Sequence, residues 1–108
     1  MATYEDFEKL DIRVGKIIDA KDFPEAKKPA YKLVIDFGKI GIKMSSAQIT
    51  ALYAKEDLLG KQVIAVINFP PKKIVDFISE VLVLGVLNKD KVVLLKPERE
   101  VELGDRIA

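Results

Sequence analysis

The 108-residue sequence has no histidine, no cysteine and no tryptophan. Without histidine, the side chain that most often serves as a near-neutral general base is missing. Ser-His-Asp and Cys-His nucleophilic sites cannot be assembled. Zinc, haem and iron–sulfur centres lose their usual ligands, and no cofactor is expected. Without cysteine there is no disulfide framework, which fits a reducing compartment. Long apolar runs are missing too. The longest, Val81–Leu87, falls far short of the roughly 20 residues of a membrane span. The opening MATYEDFEKLD carries acid where a secretory leader needs base. These absences lead us to expect a soluble, cytoplasmic protein with no membrane insertion.

Net charge is nearly absent: 18 Lys and Arg stand against 17 Asp and Glu. The balance holds in both halves, so no segment is a basic tail. An anionic partner would have to meet a patch assembled by the fold. Neutral polar side chains are also scarce. Thr3, Ser45, Ser46, Gln48, Thr50, Gln62, Asn68, Ser79 and Asn88 are all of them, and four fall within positions 45–50.

Apolar residues make up 49% of the chain, which excludes disorder, and charged residues 32%. A chain of this length buries about 65% of its unfolded surface, enough for one thin core. No linker or repeat divides it, so residues 1–108 read as a single domain.

Thr3 with Asp6 makes a helix-capping signal, and Phe7 and Leu10 share a helical face, which predicts a short N-terminal helix. Period-two patterning predicts strands over Ile12–Ala20, Tyr31–Phe37, Ile40–Met44 and Gln62–Phe69. Gly15 inside the first of these suggests a bulge or bend. Ser45 with Gln48 reads as a second capping box, opening a helix from Ala47 to Tyr53 or Leu58. Ile74–Ile78, Val81–Leu87 and Val92–Leu95 read as further strands, and Val101, Leu103 and Ile107 as a weakly ordered tail. Short, closely spaced strands with one inserted helix predict a mainly β protein. The best match is a single five-stranded oligonucleotide/oligosaccharide-binding (OB) barrel with a short N-terminal helix and terminal extensions.

Ser45, Ser46 and Gln48 crowd groups that both donate and accept hydrogen bonds into a chain that has few, which suits a polar ligand edge. Asn68-Phe69-Pro70-Pro71-Lys72-Lys73 reads as a stiffened loop presenting an amide and two cations. Ser79-Glu80 marks a turn or bulge between apolar runs. Lys32, beside Tyr31, and Lys43 are candidate phosphate contacts. There is no phosphate-cradling glycine loop and no convincing acid–base pair, so the chain is expected not to be an enzyme.

Three segments carry a resemblance. Asp11-Ile12-Arg13-Val14-Gly15-Lys16-Ile17, Asn68-Phe69-Pro70-Pro71-Lys72-Lys73 and Ser79-Glu80-Val81-Leu82-Val83-Leu84 resemble the signatures of the tRNA-binding domain family. Phe7–Arg13, Lys32–Gly38, Ser45–Thr50 and Ser79–Gly85 resemble its CsaA-type export-chaperone branch more closely. Val81-Leu82 stands where the general family has Gly-Met, a change that agrees with that branch. The resemblance implies an OB barrel, a homodimer, and binding of unfolded or preprotein polypeptide with the export machinery. Its alternative is structure-specific tRNA binding. Carried over by position, Asn68, Lys72, Lys73 and Ser79 are ligand-rim residues, joined by Ser45, Ser46 and Gln48 from the branch motif.

Overall fold

The computed structural model describes residues 1–108. Thr3 and Asp6 form the expected capping box: the Thr3 N–H donates to Asp6 Oδ2 at 2.9 Å and the Asp6 N–H to Thr3 Oγ1 at 3.2 Å. They start α1 (Tyr4–Glu8). There follow β1 (Ile12–Asp22), β2 (Tyr31–Asp36), β3 (Ile42–Ala47), α2 (Lys55–Leu58) and β4 (Gln62–Val66). Five short strands complete the chain: β5 (Lys72–Ile74), β6 (Phe77–Ser79), β7 (Leu82–Val83), β8 (Gly85–Asn88) and β9 (Lys91–Leu94). No helix is long and apolar enough to cross a membrane.

The main sheet has the order β3-β2-β1-β4-β7. Its spine is β1, which pairs antiparallel with β4 through Ile12–Lys16 and with β2 through Lys16–Asp22. One strand can serve both partners because it curls. The register against β2 shifts between Ile17 and Asp19, a bulge that deepens the twist. Gly15 is not the bulge but a point of close approach: a Cβ there would lie 2.6 Å from Ile35 Cγ2 and 2.7 Å from Phe37 Cε1. Inward-facing Ile17, Leu33, Ile35, Phe37, Val63 and Ala65 are fully buried and fill the barrel.

The barrel closes at a seam between β3 and the residues leading into β7. The Glu80 N–H donates to the Met44 carbonyl at 2.8 Å. Side chains supply the remaining seam bonds. The Ser46 N–H donates to Ser79 Oγ at 3.0 Å and the Met44 N–H to Glu80 Oε1 at 3.1 Å. Inside the wall, the Ser45 hydroxyl donates to the Val81 carbonyl at 3.0 Å.

Several expected elements are corrected. Ser45 does not cap a helix over 47–58. β3 continues through Ser45 and Ala47, which pair with Leu33 and Tyr31 and point inward, and only Lys55–Leu58 is helical. The expected strand over 74–78 is a β5–β6 hairpin turning at Val75-Asp76. Residues 81–87 divide into β7 and β8, and regular pairing in β4 stops at Val66. The tail is docked rather than weakly ordered. Gly104 and Ile107 N–H groups donate to the Val14 and Ile12 carbonyls, each at 2.8 Å, and the Val14 N–H donates to Asp105 at 2.9 Å. The tail thereby covers the stretch of β1 edge that β2 does not reach.

A candidate ligand groove at the barrel seam

Lys72 and Ser79 are direct partners across the β5–β6 hairpin, so their side chains share one face. The Ser79 hydroxyl reaches β3 through the Ser46 N–H. This brings the hairpin over the end of β3 and leaves a groove of about 310 Å³. Ser46, Gln48, Lys72 and Ser79 give it a polar edge. Ile74, Val81, Leu82 and Val83 are part of its apolar wall. A second hollow of about 180 Å³ continues past Lys72 and Leu82 to Phe69 and Pro70. Together they form a channel with apolar walls and hydrogen-bonding and charged groups on its rim.

The groove gathers four of the nine residues expected from the sequence. The other five lie elsewhere. Ser45 has no exposed surface and its hydroxyl is committed to the Val81 and Ser46 carbonyls. Its place is beneath the groove, holding the seam. Asn68 is a clasp: its amide donates to the Lys9 carbonyl and accepts from the Asp11 N–H, both at 2.8 Å. It ties the end of β4 to the α1–β1 link and so fixes where the Pro70-Pro71 loop begins. Lys73 pairs with Ile78 on the opposite face of the hairpin from Lys72. Lys43 sits opposite Ile35, further along β3 from the groove. Lys32 lies opposite Ser46, with its ammonium 4.7 Å from the centre of the Phe23 ring and 5.7 Å from that of Phe77.

Sequence reasoning missed the second cluster under this site. Phe23, Ala30 and Phe77 are buried together, with the two rings packed edge to face at 5.5 Å. They join the β1–β2 connector to the β5–β6 hairpin, and Lys32 covers them. The signal was available in Phe23-Pro24 and in Phe77, but only the fold brings those segments together. Larger depressions lie beside residues 96–100 (about 460 Å³) and beside Gly38–Ile40 (about 690 Å³). None of the nine residues lines either of them.

The groove and the two loops beside it occupy the region through which OB barrels bind ligands: the face of their second and third strands and the loops flanking it. Residues 12–106 match the family model of the putative tRNA binding domain. Two solved structures more than half identical in sequence align with the whole chain. The CsaA chaperone protein of Picrophilus torridus is 60% identical, with a TM-score of 0.95 and all of its chain covered. The chaperone CsaA of Bacillus anthracis is 52% identical, with a TM-score of 0.96 and 99% of its chain covered. The protein is a CsaA-type member of the tRNA-binding domain family. The family also reaches into much longer proteins. Methionine–tRNA ligase of Thermococcus onnurineus is 40% identical over 104 residues, 96% of this chain but 14% of that enzyme. The chain thus spans about one seventh of the length of the curated relatives it matches. The MetRS related protein of Pyrococcus horikoshii, 29% identical with a TM-score of 0.88, shares the fold over 100% of this chain and 98% of its own.

Proposed function

We propose that this CsaA-type protein is a non-enzymatic chaperone. In this reading a single cytoplasmic domain acts as a homodimer and holds unfolded or preprotein polypeptide on its way to the export machinery. The observation that carries the reading is the seam groove, in a chain that aligns end to end with two CsaA chaperones. An extended polypeptide offers apolar side chains alternating with main-chain amides. Val81, Leu82, Val83 and Ile74 suit the former; Ser46, Gln48 and Ser79 suit the latter. Lys72 adds a cation for a neighbouring carboxylate, and no group here needs to make or break a covalent bond. The direct test is titration of a labelled unfolded peptide. Saturable binding, weakened by Lys72→Glu and by Leu82→Asp, is expected. A folded protein with no affinity for such peptides would reject the reading.

The second reading, tRNA binding, is favoured by the family match and by four lysines spread over β2, β3 and the β5–β6 hairpin. Lys32, Lys43, Lys72 and Lys73 belong to none of the molecule's ion pairs. If they meet phosphates, affinity for tRNA falls steeply with salt, because each neutralised phosphate releases counterions. A gel-shift series across salt concentrations separates the two readings, since binding led by apolar contact keeps most of its strength.

A further inference from the structure

In the β5–β6 hairpin Ile74 pairs directly with Phe77, so Val75 and Asp76 alone make the turn. Val75 has φ of 56°. This is the left-handed region, ordinary for Gly or Asn and an outlier for a side chain branched at Cβ. Strain of this kind persists where something else requires the residue. Core packing is not that requirement, because Val75 is 53% exposed. Ile78, on the outer face of the hairpin opposite Lys73, is 45% exposed. The inner face is fully engaged: Phe77 packs on Phe23, and Lys72, Ile74 and Ser79 line the groove. The hairpin is therefore a finger anchored on one side, with Val75 and Asp76 at its tip and two lysines without ion-pair partners at its base, so that a client carboxylate is drawn to the base rather than to the tip.

We propose that Val75 is a ligand-contact residue. Its branched side chain meets an apolar side chain of an extended polypeptide, while Lys72 or Lys73 pairs with an adjacent carboxylate of the same segment. This rests on the polypeptide-binding reading above and adds a preference to it, for client segments that place an aliphatic residue beside an acidic one. The finger is chemically a poor nucleic-acid platform. Bases stack on exposed aromatic or guanidinium faces. The tip carries Val75 and the Asp76 carboxylate, which repels phosphate. The rings packed under it, Phe23 and Phe77, are 4% and 8% exposed, and the exposed ring of Phe69 belongs to the neighbouring loop.

The strain gives the test two readouts that move in opposite directions. Val75→Asn and Val75→Gly both accept the left-handed conformation, so each should raise the Tm, by about 4 °C. Each should also weaken binding of a fluorescein-labelled unfolded peptide rich in Leu-Glu pairs, by about tenfold as read by anisotropy. Val75→Ile keeps the branch and the apolar surface and should bind that peptide like the wild type. Bulk tRNA, as a second probe, should bind the Asn variant and the wild type equally. The proposal is overturned if the Asn and Gly variants keep full peptide affinity, if they lose thermal stability, or if tRNA binding falls in step with peptide binding. A wild-type protein that fails to bind the peptide at all overturns the polypeptide reading itself, a result distinct from a wild type that binds and variants that bind equally well.

Discussion

Two side chains that sequence patterns mark as binding groups are engaged in holding the scaffold. Ser45 is enclosed and donates to Val81 across the seam, so Ser45→Ala leaves a buried carbonyl short of a donor. It should lower unfolding free energy by about 1–3 kcal/mol in urea titrations while leaving peptide affinity unchanged. Asn68→Ala removes both bonds of the clasp and should cost about 1–2 kcal/mol. Lys72→Ala, at an exposed rim position, should change stability by less than about 0.5 kcal/mol and act on binding alone. A motif reveals that Asn68 and Ser45 matter, but not whether they matter to a ligand or to the chain. That distinction needs the position of Lys9, which is 59 residues from Asn68 in sequence. Lys55 shows the same dependence on distant partners. Its ammonium donates to Asp22 at 2.8 Å, and that bond, followed by the Asp22 charge, holds its pKa above the ordinary lysine value. Because the folded pKa is the raised one, the contribution of this ion pair is complete at neutral pH and disappears as pH rises through it. Wild type should therefore lose slightly more stability than Lys55→Met when pH is raised past the lysine range.

At the scale of elements, period-two patterning located β2 and β4 because their inward positions alternate, and located β1 in spite of the break at Gly15 and the bulge after Ile17. It failed at Ser45-Ser46-Ala47-Gln48, where the local chemistry satisfies a helix cap and a strand equally well. Pairing with β2 decides for the strand, as Leu33 and Tyr31 stand opposite Ser45 and Ala47. The tail misled for a related reason. Val101, Leu103 and Ile107 carry no local period, and their order comes from contacts made far back in the chain, including Gln62, whose amide brackets the Val101 backbone at 2.8 and 3.2 Å. Deletion of residues 102–108 removes the partners of Ile12 and Val14. It should expose those amides and carbonyls to solvent, with faster hydrogen exchange at Val14 and a lower Tm. Gly15→Ala tests the tightest packing in the barrel. Its Cβ would fall under 3 Å from both Ile35 and Phe37, and a cost of about 1–3 kcal/mol or more in chemical denaturation is expected.

On the scale of the whole molecule, fold class was legible early because many short strands around one inserted helix leave few closed arrangements. The groove was half legible. Of its polar rim, Ser46, Gln48 and Ser79 stood out against a chain nearly empty of neutral polar groups, and Lys72 through the proline-stiffened loop before it. Its apolar wall did not, since Val81 and Val83 look like any other strand residues until the seam sets them beside β3. With a net charge of +1, the molecule as a whole gives little long-range attraction for a polyanion. In the proposed reading, binding arises from the local arrangement of the groove, whose apolar wall suits an extended chain with apolar side chains. The most direct measurement is anisotropy of a labelled unfolded peptide titrated with the protein at about 50 mM and about 500 mM salt, with bulk tRNA measured in parallel. We predict saturable peptide binding that survives the higher salt. No peptide binding at either salt, with tight tRNA binding that collapses as salt rises, would contradict the account.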